Sequence, residues 1–223
     1  MFRHSCFVLA GLTLACGRTQ VAVAQRASAS FYVGGAMSSL PGAFASYRTT
    51  QSRLGLLIGA NARVLFTRAL GIQVEGQYVE KGQLLTDDGG GLWLNYLELP
   101  VLVTLSTPRP LFGATVSGLL GMSFAHEVHC HFRDVVPNPL LLIPAPGIQD
   151  MNCNAYRNQL DDVGITAGVE IEPAVAAGHL TLSVRFTQGV RDLADNVVWP
   201  FPVRNATLSV AVGYRVSIGA SSR

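Results

Sequence analysis

From about residue 31 to residue 218 the chain is a succession of segments in which apolar residues recur at every second position. Leu97-Glu98-Leu99-Pro100-Val101-Leu102-Val103-Thr104-Leu105 is one, and Leu180-Thr181-Leu182-Ser183-Val184-Arg185-Phe186-Thr187 is another. Successive side chains on a strand point to opposite faces, so each segment carries aliphatic residues on one face and Gly, Ser, Thr or a charge on the other. Segments of about ten residues repeated along a whole chain fit a transmembrane β-barrel, with lipid against the aliphatic face and a polar interior.

Eight such segments are predicted, near 30–38, 53–66, 70–82, 93–105, 111–125, 161–172, 179–190 and 204–218. The connections alternate in length: 38–52 long, 67–69 short, 83–92 long, 106–110 short, 126–160 very long, 173–178 short and 191–203 long. Short periplasmic turns and longer extracellular loops distinguish outer-membrane barrels, and an even strand number leaves both termini in the periplasm. The fold expected is therefore all-β, an eight-stranded antiparallel up-and-down transmembrane β-barrel in the cell outer membrane. A soluble lipocalin-like barrel is the rival, and it would turn its aliphatic positions inward.

Composition supports one domain of this kind. Apolar residues make up 49% of the 223, yet no uninterrupted run approaches the roughly 20 residues of a spanning helix. The 16 basic and 14 acidic residues nearly balance and form no block of like charge, which argues against nucleic acid as a partner. At the N-terminus, Arg3 and His4 precede an apolar run from Cys6 to Ala15, and Ala22-Val23-Ala24 follows as a small-x-small site. This is the layout of a secretory signal, so 1–24 is expected to be a signal peptide and 25–223 the barrel domain. Cys16 as a lipidated cysteine is the alternative; Leu14-Ala15 precede it, but Thr13 stands where an aliphatic residue is usual.

Cleavage after Ala24 leaves Cys130 and Cys153 as the sole cysteine pair in an oxidising compartment, and a disulfide between them is expected. Closing a loop of that length stabilises by about 3 kcal/mol in the chain-entropy model.

The charges share a parity. Leu54, Leu56, Ile58, Ala60, Ala62 and Val64 lie on one face of the second segment, with Gly55, Gly59, Asn61 and Arg63 on the other. In the third, Ile72, Val74, Gly76 and Tyr78 oppose Gln73, Glu75, Gln77 and Lys81. Continued round the barrel, the same alternation places Arg63, Glu75, Lys81, Glu98, Glu170, Glu172, Arg185 and Arg215 together in the lumen. Four acids meet four bases. An eight-stranded interior is only wide enough to be filled by side chains, so the cluster is expected to interlock as a plug. A proton path, or a general acid and base pair, is the functional alternative.

Glu75-Gly76-Gln77-Tyr78-Val79-Glu80-Lys81-Gly82, followed by Asn95-Tyr96-Leu97-Glu98-Leu99-Pro100-Val101-Leu102-Val103, resembles the Tyr-Leu-Glu-aliphatic-Pro hairpin of the outer-membrane β-barrel domain proteins that include the PorT group. Val184-Arg185-Phe186-Thr187-Gln188-Gly189-Val190 and the stretch from Arg204 to Arg215 resemble the closing hairpin of that family. The resemblance implies a small outer-membrane barrel, usually without an assigned activity. Pro100 cannot donate to a ladder, and a bulge or bend is expected there.

The segment 126–160 gathers His126, His129, Cys130, His131, Asp150 and Cys153. On an extended chain His129 and His131 converge while Cys130 faces away, and no Cys-x-x-Cys or His-x-x-x-His pair occurs, so no metal site is expected. His126 with Asp161 or Asp162 and Ser123 is the one catalytic set to weigh. Pro137-Asn138-Pro139-Leu140-Leu141-Leu142-Ile143-Pro144-Ala145-Pro146 reads as a hydrophobic cap over the barrel mouth. Trp93, Tyr96, Trp199, Phe201 and Tyr214 are expected in the aromatic girdles at the lipid headgroups.

The function expected is that of a small outer-membrane barrel protein with a structural or interaction role through its extracellular loops. Its lumen is expected to be closed, with no catalysis and no cofactor. The alternatives are a PorT-like secretion or transport accessory protein and a lipid-modifying enzyme. The expected surroundings are outer-membrane lipid and envelope protein partners, with the chain a monomer.

Overall fold

The computed structural model describes residues 26–41, 50–85, 90–133, 151–152, 161–175, 178–193 and 202–218. The expected signal peptide, the proline-bounded segment 137–146, Asp150, Cys153, Trp199 and Phe201 lie outside them. Strands β1 (Arg26–Ser39), β2 (Thr50–Leu65), β3 (Leu70–Leu85), β4 (Gly91–Ser106) and β5 (Ala114–Arg133) follow one another along the chain. The two-residue β6 (Met151–Asn152) precedes β7 (Asp161–Val175), β8 (Gly178–Gly189) and β9 (Ala206–Ile218).

Every neighbouring pair is antiparallel. The sheet runs β4-β3-β2-β1-β9-β8-β7-β5, and the β4–β5 pairing closes it into an eight-stranded barrel. β6 lies outside this ring, paired only with His131 and Phe132 on β5. Closure joins the first and last strands, with Ala27 against Ile218 and Ser39 against Ala206.

Alternation decides what faces where. On β4, Leu97, Leu99, Val101, Val103 and Leu105 are exposed, while Glu98, Leu102 and Thr104 are buried. On β8, Leu182, Val184 and Phe186 are exposed, while Ser183 and Arg185 are buried. A soluble barrel would reverse both sets. Exposed aliphatic side chains on every wall strand are instead suited to hydrocarbon.

β5 is longer than its sequence suggests. His126 to Arg133 were expected to open the third loop, but they continue the strand and pair with Gly91 to Leu97 of β4. Twenty residues span about 65 Å at the usual rise, and when tilted they exceed the roughly 25 Å apolar band, so the hairpin stands above the membrane. Pairing with β4 supplies the ladder partners that composition alone does not reveal.

Pro100 makes no bulge. The β3–β4 ladder omits Glu75 and Gly76, yet Val74 against Val101 and Gln77 against Glu98 keep one register across the gap. The register shift falls instead between β4 and β5, where Asn95 pairs with His129 and Tyr96 with Glu127, leaving Val128 as the extra residue. A second shift lies between β2 and β3, between Ser52 and Leu57. Both shifts sit toward the end that carries the long connections.

Candidate functional site

The interior has two layers. Nearer the short turns lies a network of charges built from β2, β3, β7, β8 and β9. Arg63 ion-pairs with both Glu170 and Glu172, and its Nε donates to Gln73 Oε1 at 2.6 Å. Arg215 Nη1 lies 2.7 Å from Glu170 Oε1 and from Glu172 Oε1. Arg185 pairs with Glu75 and reaches Glu170 Oε2 at 3.6 Å.

Glu75 also accepts hydrogen bonds from Tyr32 Oη at 2.8 Å and Gln73 Nε2 at 2.5 Å, and the Arg185 guanidinium lies over the Tyr32 ring. Three arginines thus face three glutamates, all buried. Because β2 and β7 are not adjacent in the sheet, these pairs cross the barrel.

Lys81 and Glu98 form a separate pair higher in the barrel. Glu98 also accepts from Gln77 Nε2 at 2.6 Å, and the Lys81 ammonium sits over the Tyr96 ring at 5.2 Å. Asn205 Nδ2 donates to Asp162 Oδ2 at 2.6 Å. All eight charged residues assigned to the lumen from alternation are buried, and each takes part in an ion pair.

Glu127, Asp162 and Asn205 are buried beside them. Alternation read from the sequence assigns none of the three to the lumen: β5 is ended before Glu127, Asp162 is weighed only as a catalytic partner, and Asn205 is passed over although it shares the parity of Arg215.

Toward the long loops an apolar cluster joins the buried polar residues Ser38, Lys81, Gln83, Glu127 and Asn205. Leu40, Leu57, Val79, Leu92, Leu94, Tyr96, Cys130, Leu193 and Val203 form one buried cluster with Tyr32, Ala36, Ala125 and Ala211. Backbone bonds fasten the ends of the connections over it: Leu193 N donates to Val203 O at 2.9 Å, and Leu40 N donates to Gln83 Oε1 at 2.8 Å. Tyr96 is therefore a core residue at 0% exposure, not a girdle residue, since its parity on β4 turns it inward. Tyr214 faces outward, and Trp93 packs edge-on against His131.

The catalytic set does not assemble. Ser123 is buried, with its hydroxyl 3.5 Å from Glu98, and Asp162 is buried too. His126 lies on the outer face, with Nδ1 2.7 Å from Asp161 Oδ1, both side chains well exposed. That pair borders an open groove of about 490 Å³ lined by Leu97, Leu99, Phe124, Val163 and Arg191 among others. His129 and His131 stack with ring centroids 6.1 Å apart, while the Val128 bulge turns Cys130 inward. Among the described residues no three His, Cys, Asp or Glu side chains gather to hold a metal ion.

A closed eight-stranded antiparallel barrel, aliphatic outside and charged within, is the architecture of the small barrels of the bacterial outer membrane. The chain belongs to the outer membrane protein beta-barrel domain family, whose model matches residues 23–195, and it is a protein of the cell outer membrane. No curated protein matches the sequence.

Among solved structures it is similar to Ail, the attachment invasion locus protein of Yersinia pestis, crystallised with the heparin analogue sucrose octasulfate. That likeness has 14% identity and a TM-score of 0.46, over 85% of this chain and 98% of that one. It is also similar to OprG of Pseudomonas aeruginosa, at 11% identity and a TM-score of 0.48 over 88% and 96%. Neisserial surface protein A is similar at 14% identity and a TM-score of 0.45 over 86% and 97%.

Proposed function

We propose that this protein is a closed outer-membrane barrel that works through its extracellular face, as a structural or interaction protein, rather than by conducting or transforming a solute. The observation that carries the reading is the filling of the interior by two stacked layers. Arg63, Arg185 and Arg215 interlock with Glu75, Glu170 and Glu172, and the cluster around Leu40, Leu94 and Tyr96 lies above them. A hydrated ion needs open width as well as polar walls, and an eight-stranded interior filled by these side chains leaves little of it. The long β4–β5 hairpin then serves to raise a surface above the lipid.

Planar bilayers containing the reconstituted protein test this. No steady single-channel conductance is expected, and stable porin-like currents would overturn the closed lumen. The catalytic alternative is tested on the same preparation. With Ser123 inside and His126 outside, substitution of His126 and Asp161 is expected to leave the protein's binding and assembly unchanged. A secretion-accessory role of the kind the PorT resemblance implies would appear as envelope proteins recovered with the barrel after crosslinking in intact cells. A monomer recovered without them favours the loop-borne role.

A further inference from the structure

The extra residue at Val128 decides which way two histidines point. On β5, Ser123, Ala125 and Glu127 are buried while Phe124 and His126 are exposed. Unbroken alternation would turn His129 and His131 into the barrel with Glu127. The register shift instead sets Glu127 against Tyr96 and His129 against Asn95, so that Cys130 and Leu94 pair inside and His131 and Trp93 pair on the outer face. Bulges re-aim side chains in this way beside functional positions.

Both histidines stand on the part of β5 that runs past Asp161, where the ladder with β7 ends, and so beyond the lipid-facing wall. Their rings lie nearly parallel, 17° apart, with centroids separated by 6.1 Å. Metal–nitrogen bonds of about 2.0–2.1 Å put the centroids of two imidazoles on one ion roughly 4.5–6.5 Å apart, and the observed pair falls within that span. Rotation about χ2, a broad torsion in histidine, aims one nitrogen of each ring at a common point. The Trp93 ring packs edge-on against His131 at 6.2 Å and steadies it from β4. The spacings of closed zinc sites are absent from this segment, but a residue pair two apart on a strand shares a face just as a pair four apart does on a helix.

We propose that His129 and His131 form a two-imidazole chelate for a divalent late first-row metal ion on the extracellular end of β5, with Cu(II) bound most tightly. Imidazole suits Cu, Zn and Ni, and Cu(II) leads the order of affinities. Two protein nitrogens leave the remaining coordination positions to water, which makes the site open and exchangeable. It stands on the strand geometry alone and does not depend on a closed lumen.

The test uses the tag-free mature chain with Trp199→Phe, refolded in detergent micelles under oxidising conditions, so that Trp93 is its sole tryptophan. Copper(II) chloride is expected to quench Trp93 saturably at one ion per chain, with EDTA restoring the emission. Electron paramagnetic resonance of the complex should show coupling to two imidazole nitrogens. His129→Gln, which leaves the Trp93 contact with His131 in place, and His131→Gln should each reduce that count to one. Each should also weaken binding by roughly tenfold or more, since even an outer-shell partner is worth that much. His126→Gln should change neither quantity, and heat-modifiable gel migration verifies that every variant folds. Quenching that fails to saturate, a nitrogen count unmoved by His129→Gln, or equal affinity in the urea-unfolded chain would overturn the site and leave two stacked, solvated rings. A count that falls with His126→Gln while His129→Gln changes nothing would put the ion elsewhere and overturn it equally.

Discussion

Arg63 on β2 and Glu170 on β7 form an ion pair across the barrel although 107 positions separate them. The strands that carry them share no ladder, so the contact ties one wall to another through the interior. Arg215 completes it from β9, reaching the same Glu170 and Glu172. The lower barrel is thereby braced by side chains as well as by its ladders.

Arg63→Gln and Glu170→Gln should each destabilise strongly, by about 3–5 kcal/mol, because each removes one charge from a buried set of three arginines and three glutamates and leaves the rest unbalanced. The double variant should cost less than the sum by about 0.5–3 kcal/mol, the range for residues in one network. Urea unfolding of the three variants in detergent micelles measures this, and strict additivity would show that the two groups do not interact.

Leu99 is half exposed on the outer wall and sits between the inward Glu98 and Pro100. Arg at Leu99 should destabilise by about 2–4 kcal/mol, the cost of a charge near the bilayer midplane. Refolding into vesicles followed by denaturant titration checks it. A neutral result would place Leu99 away from hydrocarbon and reverse the assigned parity of β4.

Gly82 stands beside the β2–β3 register shift with φ of +138°. A Cβ there would collide with the Leu92 carbonyl oxygen, and Ser38 Oγ already holds the Gly82 amide at 2.8 Å. Gly82→Ala should cost about 1–3 kcal/mol through backbone strain alone. Gly76, on the same strand, has open space where its Cβ would be. Gly76→Ala should be neutral or stabilising by up to about 1 kcal/mol through the unfolded chain, and comparison of the two unfolding midpoints separates strain from a general intolerance of side chains in β3.

Strand number and wall parity are legible in the sequence because a two-residue period survives any detail of closure. Leu97, Glu98 and Leu99 read directly as out, in and out. What closure adds is not legible: which of the inward charges meet depends on barrel width and stagger, so Arg63 finding Glu170 rather than the neighbouring Glu75 is not written in either strand. The apolar upper cluster is legible in the same alternation: Leu57 shares the parity of Arg63, Val79 that of Glu75 and Lys81, and Leu92, Leu94 and Tyr96 that of Glu98. What alternation does not show is the cover supplied by Leu193 and Val203, or the inward turn of Cys130, which depends on the Val128 shift and the extension of β5. The girdle expectation for Tyr96 follows from its aromatic type and overlooks its parity.

Cys130 offers the last test, and the Val128 bulge is what makes it one. Without the extra residue Cys130 would share the outward parity of His126; with it, Cys130 is buried at 3% exposure while Val128 and His129 both face out. β6 pairs antiparallel with this strand, Met151 against Phe132 and Asn152 against His131, and Cys153, the partner expected from the sequence, lies outside the described residues. The two are the cysteines left in the exported chain once the expected signal peptide is removed, and such a pair in an oxidising compartment is expected to be joined. Protein isolated from the oxidising envelope should then resist alkylation at both thiols until reductant is added. Cys130→Ser should speed proteolysis between Arg133 and Arg157 while heat-modifiable migration, which reports the barrel, stays unchanged, because the ladder from β1 to β9 does not pass through β6. Rapid alkylation of both thiols in native protein would refute the pairing.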